Sequence, residues 1–144
     1  MELAAVEETE ERKRCVIVVD AALPPGRAAN AASVIALTLG SRHPGLAGAD
    51  LVDAAGRRHP GLIPIGITIL AAPVEALRDL RDQAVRQGLD VVDFPTAGQE
   101  TTDYAAFRDR VAQLNPEAID YVGVGILGGR KAVGRVTGKL PLLR

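Results

Sequence analysis

Three polar side chains at helical spacing are the first candidates for chemistry. Arg27, Asn30 and Ser33 recur at i, i+3 within Gly26 to Ser41, a stretch rich in Ala and nearly free of charge. On a helix they share one side of an otherwise apolar cylinder. Such a stripe lines a cleft if it faces the carboxyl end of the preceding strand, where α/β sheets bind ligands. The competing reading is a solvated rim at an N-terminal turn.

Other motifs are weaker. Gly123-Val-Gly125-Ile-Leu-Gly128 has the letters of a dinucleotide fingerprint and follows an apolar run. That fingerprint also needs a helix, a parallel strand and an acid about 20 residues on, and the sequence stops before that point. A glycine-rich turn with close backbone packing is the plainer expectation. Cys15 lies inside an apolar run with no histidine nearby, so it reads as a small buried hydrophobe rather than a nucleophile. Asp50 and Asp53 read as solvated turn acids. His43 and His59 each open a His-Pro-Gly-Leu turn and lack the close spacing of a metal pair. One cysteine excludes an intrachain disulfide and a cysteine cluster. No metal and no cofactor are expected.

Composition narrows the class. A chain of 144 residues with 47% apolar residues forms one domain with a real core, and 3% aromatics leave Val, Ile, Leu and Ala to build it. No apolar run approaches the ~20 residues of a membrane span. The five glutamates of residues 1–11 are wrong for a signal peptide, so a cytoplasmic protein is expected. Net charge is −1, but residues 12–144 carry 17 Lys and Arg against 13 acids. Arg130, Lys131, Arg135, Lys139 and Arg144 form a modest basic end, weaker than the usual footprint of a nucleic-acid binder.

The elements that position these residues follow from periodicity. Residues 1–13 read as a flexible segment and 14–144 as a single α/β domain. Arg14 to Asp20 is a β-branched run, as in a strand buried on both faces. Pro24-Pro25-Gly26 breaks it, and a buried helix spans Gly26 to Ser41, with Ala29, Ala32 and Ala36 expected against the sheet. A small hairpin fits His43 to Gly61. Leu62 to Leu70 reads as a strand, at an edge or starting after Pro64. A helix from Pro73, with Val74, Leu77, Leu80, Ala84 and Val85 on one face, ends at Gly88. The strand Asp90 to Phe94 leads to the polar loop Thr96 to Asp103, whose Thr102 or Asp103 caps a helix carrying Tyr104, Phe107, Val111 and Leu114. Ile119 to Gly125 is the fourth strand, and a short helix, Gly129 to Thr137, precedes an apolar tail. The sum is a three-layer α/β/α sandwich around a mixed four-stranded central sheet.

With these residues in place, the chain resembles the type II peptidyl-tRNA hydrolase superfamily, most closely its uncharacterised bacterial branch. The enzymes have an apolar strand, a loop ending Gly-Lys, and a helix with Ala-Ala-Gln and then His-Ala. The same place here reads Val16-Ile-Val-Val, Gly26-Arg27, Ala28-Ala29-Asn30 and Ala32-Ser33-Val34. Their Asp-Ala-Gly-x-Thr is similar to Thr96-Ala97-Gly98-Gln99-Glu100-Thr101. Their final Gly-x-Gly and Val-Thr-Gly-x-Leu are similar to Gly123-Val-Gly125 and Val136-Thr137-Gly138-Lys139-Leu140. The resemblance implies that fold, and a site made of Arg27, Asn30, Ser33, Thr96, Thr101 and Thr102. The departures fall on the chemistry: the loop lysine becomes Arg27, the helix histidine Ser33, and the loop aspartate Thr96, which cannot orient or deprotonate water as a carboxylate does.

Three readings stand. The first is a catalytically divergent relative that binds a small anionic or nucleotide-like ligand between the helix and the Thr96 to Thr102 loop. The second is an active hydrolase of peptidyl-tRNA or a related ester or amide, with tRNA-like substrates. The third is a non-enzymatic regulatory or interaction module, for which a homodimer is one form.

Overall fold

The computed structural model of the chain describes residues 12–144. The N-terminal segment read as flexible lies, through residue 11, outside the described residues, and Lys13 already belongs to the first strand.

Four strands form one sheet in the order β4-β1-β6-β5: β1 (Lys13–Asp20), β4 (Ile67–Ala72), β5 (Asp90–Pro95) and β6 (Tyr121–Gly129). β1 runs parallel to β4 and antiparallel to β6, and β5 is antiparallel to β6. β1, β4 and β5 therefore end at one edge of the sheet, and β6 begins there. β1 takes an inner place because its run is apolar on both faces. Val16 and Val18 join one core, and Cys15, Ile17 and Val19 the other, as the two-residue period of a strand demands. Cys15 is buried, and burial pushes its thiol pKa up.

Five α-helices cover the sheet among the described residues. α1 (Pro25–Arg42) packs on β1, β5 and β6, closing the core of Ile17, Val19, Ile35 and Leu39. α2 (Val74–Arg86) and α5 (Arg130–Thr137) close the core of Val16, Val18, Leu77, Val124 and Val133. α3 (Ala97–Glu100) and α4 (Tyr104–Ala112) follow β5. Leu77, Leu80 and Ala84 are the buried stripe of α2, whereas Val85, expected beside them, follows Ala84 by only one position and is exposed. The helix ends as its glycine predicts: Gly88 N–H bonds Val85 O at 3.0 Å and Leu89 N–H bonds Ala84 O at 3.2 Å, a Schellman closure. Asp103, one of the two expected caps, accepts from Ala106 N–H at 2.7 Å and starts α4, which ends at Ala112, so Leu114, expected on its apolar face, lies past the helix and is exposed.

Several boundaries differ from expectation. The buried face of α1 is Ala28, Ala31, Ile35 and Leu39, while Ala29 is exposed and Ala32 and Ala36 lie at the margin. Alanine occurs on every side of this helix, so composition alone carries no phase. Residues 62–66 are not strand: β4 starts after Pro64, which has no N–H for a ladder. The run Gly123 to Gly128 is no turn, because all of it lies inside β6. A Cβ on Gly125 would stand 2.2 Å from Ile35 Cγ2, and one on Gly123 2.9 Å from Ile35 Cδ1. These glycines let α1 rest on the sheet backbone. Thr96 to Asp103 is not wholly loop, since α3 forms one turn there.

The expected hairpin is present as β2 (Leu51–Val52) and β3 (Arg58–His59). The apolar tail crosses the β4 edge: Ala71 N–H bonds Pro141 O at 2.9 Å and Leu143 N–H bonds Ile69 O at 3.1 Å. That covers an edge which would otherwise present open backbone groups. No helix among the described residues is long and apolar enough to cross a membrane.

Candidate functional site

α1 begins where β1 ends. Asp20 turns the chain by accepting from Ala22 N–H at 2.9 Å. The N-cap position is Pro24, extended and without a capping side chain, and Pro25 fills the first helical position. The first turn of α1 therefore presents its backbone donors and the positive end of its dipole with no carboxylate or hydroxyl on them. Arg27 and Asn30 extend from this turn, both exposed.

The facing wall is α3, held at the carboxyl end of β5. The β5–β6 register shifts at Phe94/Pro95, and Thr96 N–H bonds Asp120 O at 2.9 Å, so the chain leaves the sheet and turns toward α1. Gln99 then bridges the two helices. Its Nε2 donates to Arg27 O at 2.9 Å and to Asn30 Oδ1 at 3.2 Å. Because Arg27 O is a backbone acceptor, the amide orientation follows from chemistry. The other end, Gln99 Oε1, is buried with no partner among the described residues. Such an acceptor costs roughly 1–3 kcal/mol.

Gly26, Arg27, Asn30, Gly98 and Gln99 line a cleft of about 320 Å³. On the far side of Gly98, Thr101, Thr102, Asp103, Tyr104 and Phe107 line a second depression of about 220 Å³. The two share Gly98. The candidates thus divide. Arg27 and Asn30 meet across Gln99. Thr101 and Thr102 line the adjoining depression, with Thr101 Oγ1 donating to Ala97 O at 2.9 Å. Ser33, exposed one turn further along α1, and Thr96, which starts α3, line neither. Sequence reasoning passed over Gln99, although it is the one long amide in the Thr96 to Thr102 run. Three of the chain's four aromatic residues gather here as well. Phe94 and Tyr104 flank Phe107 at centroid distances of 6.2 and 6.1 Å, and Tyr104 is 74% exposed.

Of the nearby acids, Asp103 lines the second depression and caps α4, while two others are paired with arginines. Glu100 pairs with Arg110 at 2.9 Å, and Asp93 with Arg81 at 2.9 Å. Asp50 and Asp53, read as solvated turn acids, are bonded within the hairpin. Asp53 accepts from Ala55 and Arg57 N–H at 3.0 and 2.9 Å and lies 2.9 Å from His59 Nε2, while Asp50 accepts from Gly61 N–H at 3.2 Å. The contact with His59, then the Arg57 N–H, holds the Asp53 carboxyl below its ordinary range. Among the described residues no three His, Cys, Asp or Glu side chains group as metal ligands. The described residues that line the α1–α3 cleft include one cation and two amides, and no carboxylate or imidazole.

A family model described as "Protein of unknown function (DUF2000)" matches residues 13–144. A solved structure of a protein of unknown function from Agrobacterium tumefaciens strain C58 superposes with a TM-score of 0.82 at 19% identity, over 90% of this chain and 96% of that one. That likeness is one of fold. No curated protein matches. Neither finding links the chain to the peptidyl-tRNA hydrolases.

Proposed function

The chain belongs to the DUF2000 family, and from the cleft its fold builds we propose that it binds a small anionic, nucleotide-like ligand between α1 and α3 without hydrolysing it. Gln99 carries this reading: it joins the two walls through Nε2, and its Oε1 has no partner among the described residues. A ligand donor that draws the amide outward and bonds Oε1 recovers the cost of that vacant acceptor. The anionic group of the same ligand would rest on the first turn of α1 and on Arg27, where donors and dipole favour negative charge. The adjoining depression, with Thr101, Thr102 and the exposed ring of Tyr104, has room for a planar ring.

Within this reading the motif order of residues 14–140 makes the chain a catalytically divergent relative of the type II peptidyl-tRNA hydrolases. The pairing of Glu100 and Asp93 with arginines supports binding over hydrolysis. The test is calorimetric. A nucleoside monophosphate should bind more tightly than inorganic phosphate, and Arg27→Gln should weaken binding about tenfold, as loss of a charge-assisted hydrogen bond does. Purified protein should cleave peptidyl-tRNA no faster than buffer. Turnover at ordinary enzymatic rates would replace this reading with the hydrolase.

A second reading, an interaction module, draws on the exposed apolar residues Leu51, Val52, Leu62, Ile63 and Ile67. Its check is the oligomeric state in solution, which a double Leu51→Ser, Leu62→Ser variant should change if that face is used.

A further inference from the structure

The opposite edge of the sheet holds a second concentration of charge. Lys13 pairs with Gly129 and Arg14 with Gly128 in the β1–β6 ladder, and Arg130 N–H bonds Arg12 O at 2.8 Å. The ladder thereby brings the basic start of β1 against the first residue of α5, segments more than a hundred residues apart in the chain. Arg12, Lys13, Arg14 and Arg130, with Pro64 and Ile65, line a cleft of about 460 Å³. None of the four cations forms an ion pair with a described residue, whereas Arg42, Arg57, Arg58, Arg78, Arg81 and Arg110 all do. β1 spans eight residues between the two edges, so this cleft stands roughly 25 Å from the α1–α3 cleft.

We propose that this basic cleft is a separate site for a compact polyanion, an oligophosphate with three or four negative charges. Like charges brought together repel, and in a partly walled cleft they are screened less than on an open surface. A ligand that concentrates several charges in a small volume relieves that repulsion at once. Pro64 and Ile65 provide an apolar wall, and Ile65 is 37% exposed. The basic C-terminal residues read from the sequence as weaker than the footprint of a nucleic-acid binder; Arg12 to Arg14 join Arg130 here, and the strand register brings them together.

The experiment titrates the full chain with inorganic tripolyphosphate, by calorimetry at low and moderate salt and by amide NMR. One ligand per chain should bind, more weakly as salt rises, moving the amides of Lys13, Arg14 and Arg130 and leaving those of Asn30 and Gln99 in place. Arg14→Gln and Arg130→Gln should each weaken binding about tenfold, Arg130→Lys much less, and Arg108→Gln on α4 not at all. Shifts at Asn30 and Gln99 without shifts at Arg14 would overturn this site while leaving the α1–α3 reading intact. So would unchanged affinity in both glutamine variants. A single-stranded oligonucleotide that binds tighter than tripolyphosphate and displaces it would overturn the compact ligand. If binding emerges only after Glu7, Glu8, Glu10 and Glu11 are changed to Gln, the cations serve the chain's own acids and the proposal fails.

Discussion

Gln99 commits one half of its amide to α1, and the other half is buried with no partner among the described residues. Replacing it with leucine removes the two bonds and the vacant acceptor together. The expected change in stability is below about 1 kcal/mol, since an apolar group of similar shape is nearly neutral there. Ligand affinity should still fall about tenfold. A denaturation midpoint beside a titration separates the two effects. Cys15 makes a simpler case: buried and with its thiol pKa raised by burial, it should react with a thiol reagent far more slowly in the native than in the unfolded chain. Asp90 gives a pH dependence. Arg42 holds it with Nη2 at 2.8 Å and Nε at 3.0 Å, and His43 Nε2 lies 2.6 Å away. The Arg42 hydrogen bond is the largest cause, and the carboxyl stays below its ordinary value. Its stabilisation is therefore present above the unfolded-state value of about 3.9 and is lost as pH falls through the lower folded value. Unfolding followed between neutral pH and the acid range should show this loss in the wild type, and less of it in Asp90→Asn. At this scale the sequence was legible where one residue type decides, as for Cys15. It was not legible for Gln99 or Asp90, whose partners lie 69 to 72 and 47 to 48 positions away.

Helix α1 lies on the glycine face of β6, and that contact decides how near the site's two walls come. Gly125→Ala would drive a methyl group into Ile35 Cγ2, an overpacking expected to cost about 1–3 kcal/mol. Ile35→Ala alone leaves a cavity and should cost roughly 2–5 kcal/mol. If the two groups compete for the same space, the double variant should be more stable than the sum of the separate losses implies. Strict additivity in urea denaturation would mean that α1 does not bear on Gly125. Element types were legible because the apolar period changes between β and α along the chain. Phase and ends were less so. The alanines of α1 hide its buried stripe, and the glycines of β6 look like a turn until the side chain that fills them is known. The apolar residues 62–66 resemble strand, yet Pro64 withholds a ladder donor and all five stay exposed.

The whole molecule is a mixed sheet between two helical layers with a cleft at each edge. Alternating apolar runs and helical periods were enough to expect the sheet and its coverings. They carried no register, and register is what unites Arg12 to Arg14 with Arg130, and Asn30 with Gln99. The proposed ligand site lies where β1 and β5 end. Its most direct test is an amide NMR titration of the full chain with a nucleoside monophosphate. The amides of Gly26, Arg27, Gly98 and the Gln99 side chain should move together and saturate, and in the Gln99→Leu protein they should move at about tenfold higher ligand concentration. Resonances that stay in place at millimolar ligand, or that move only around Arg14 and Arg130, would contradict it.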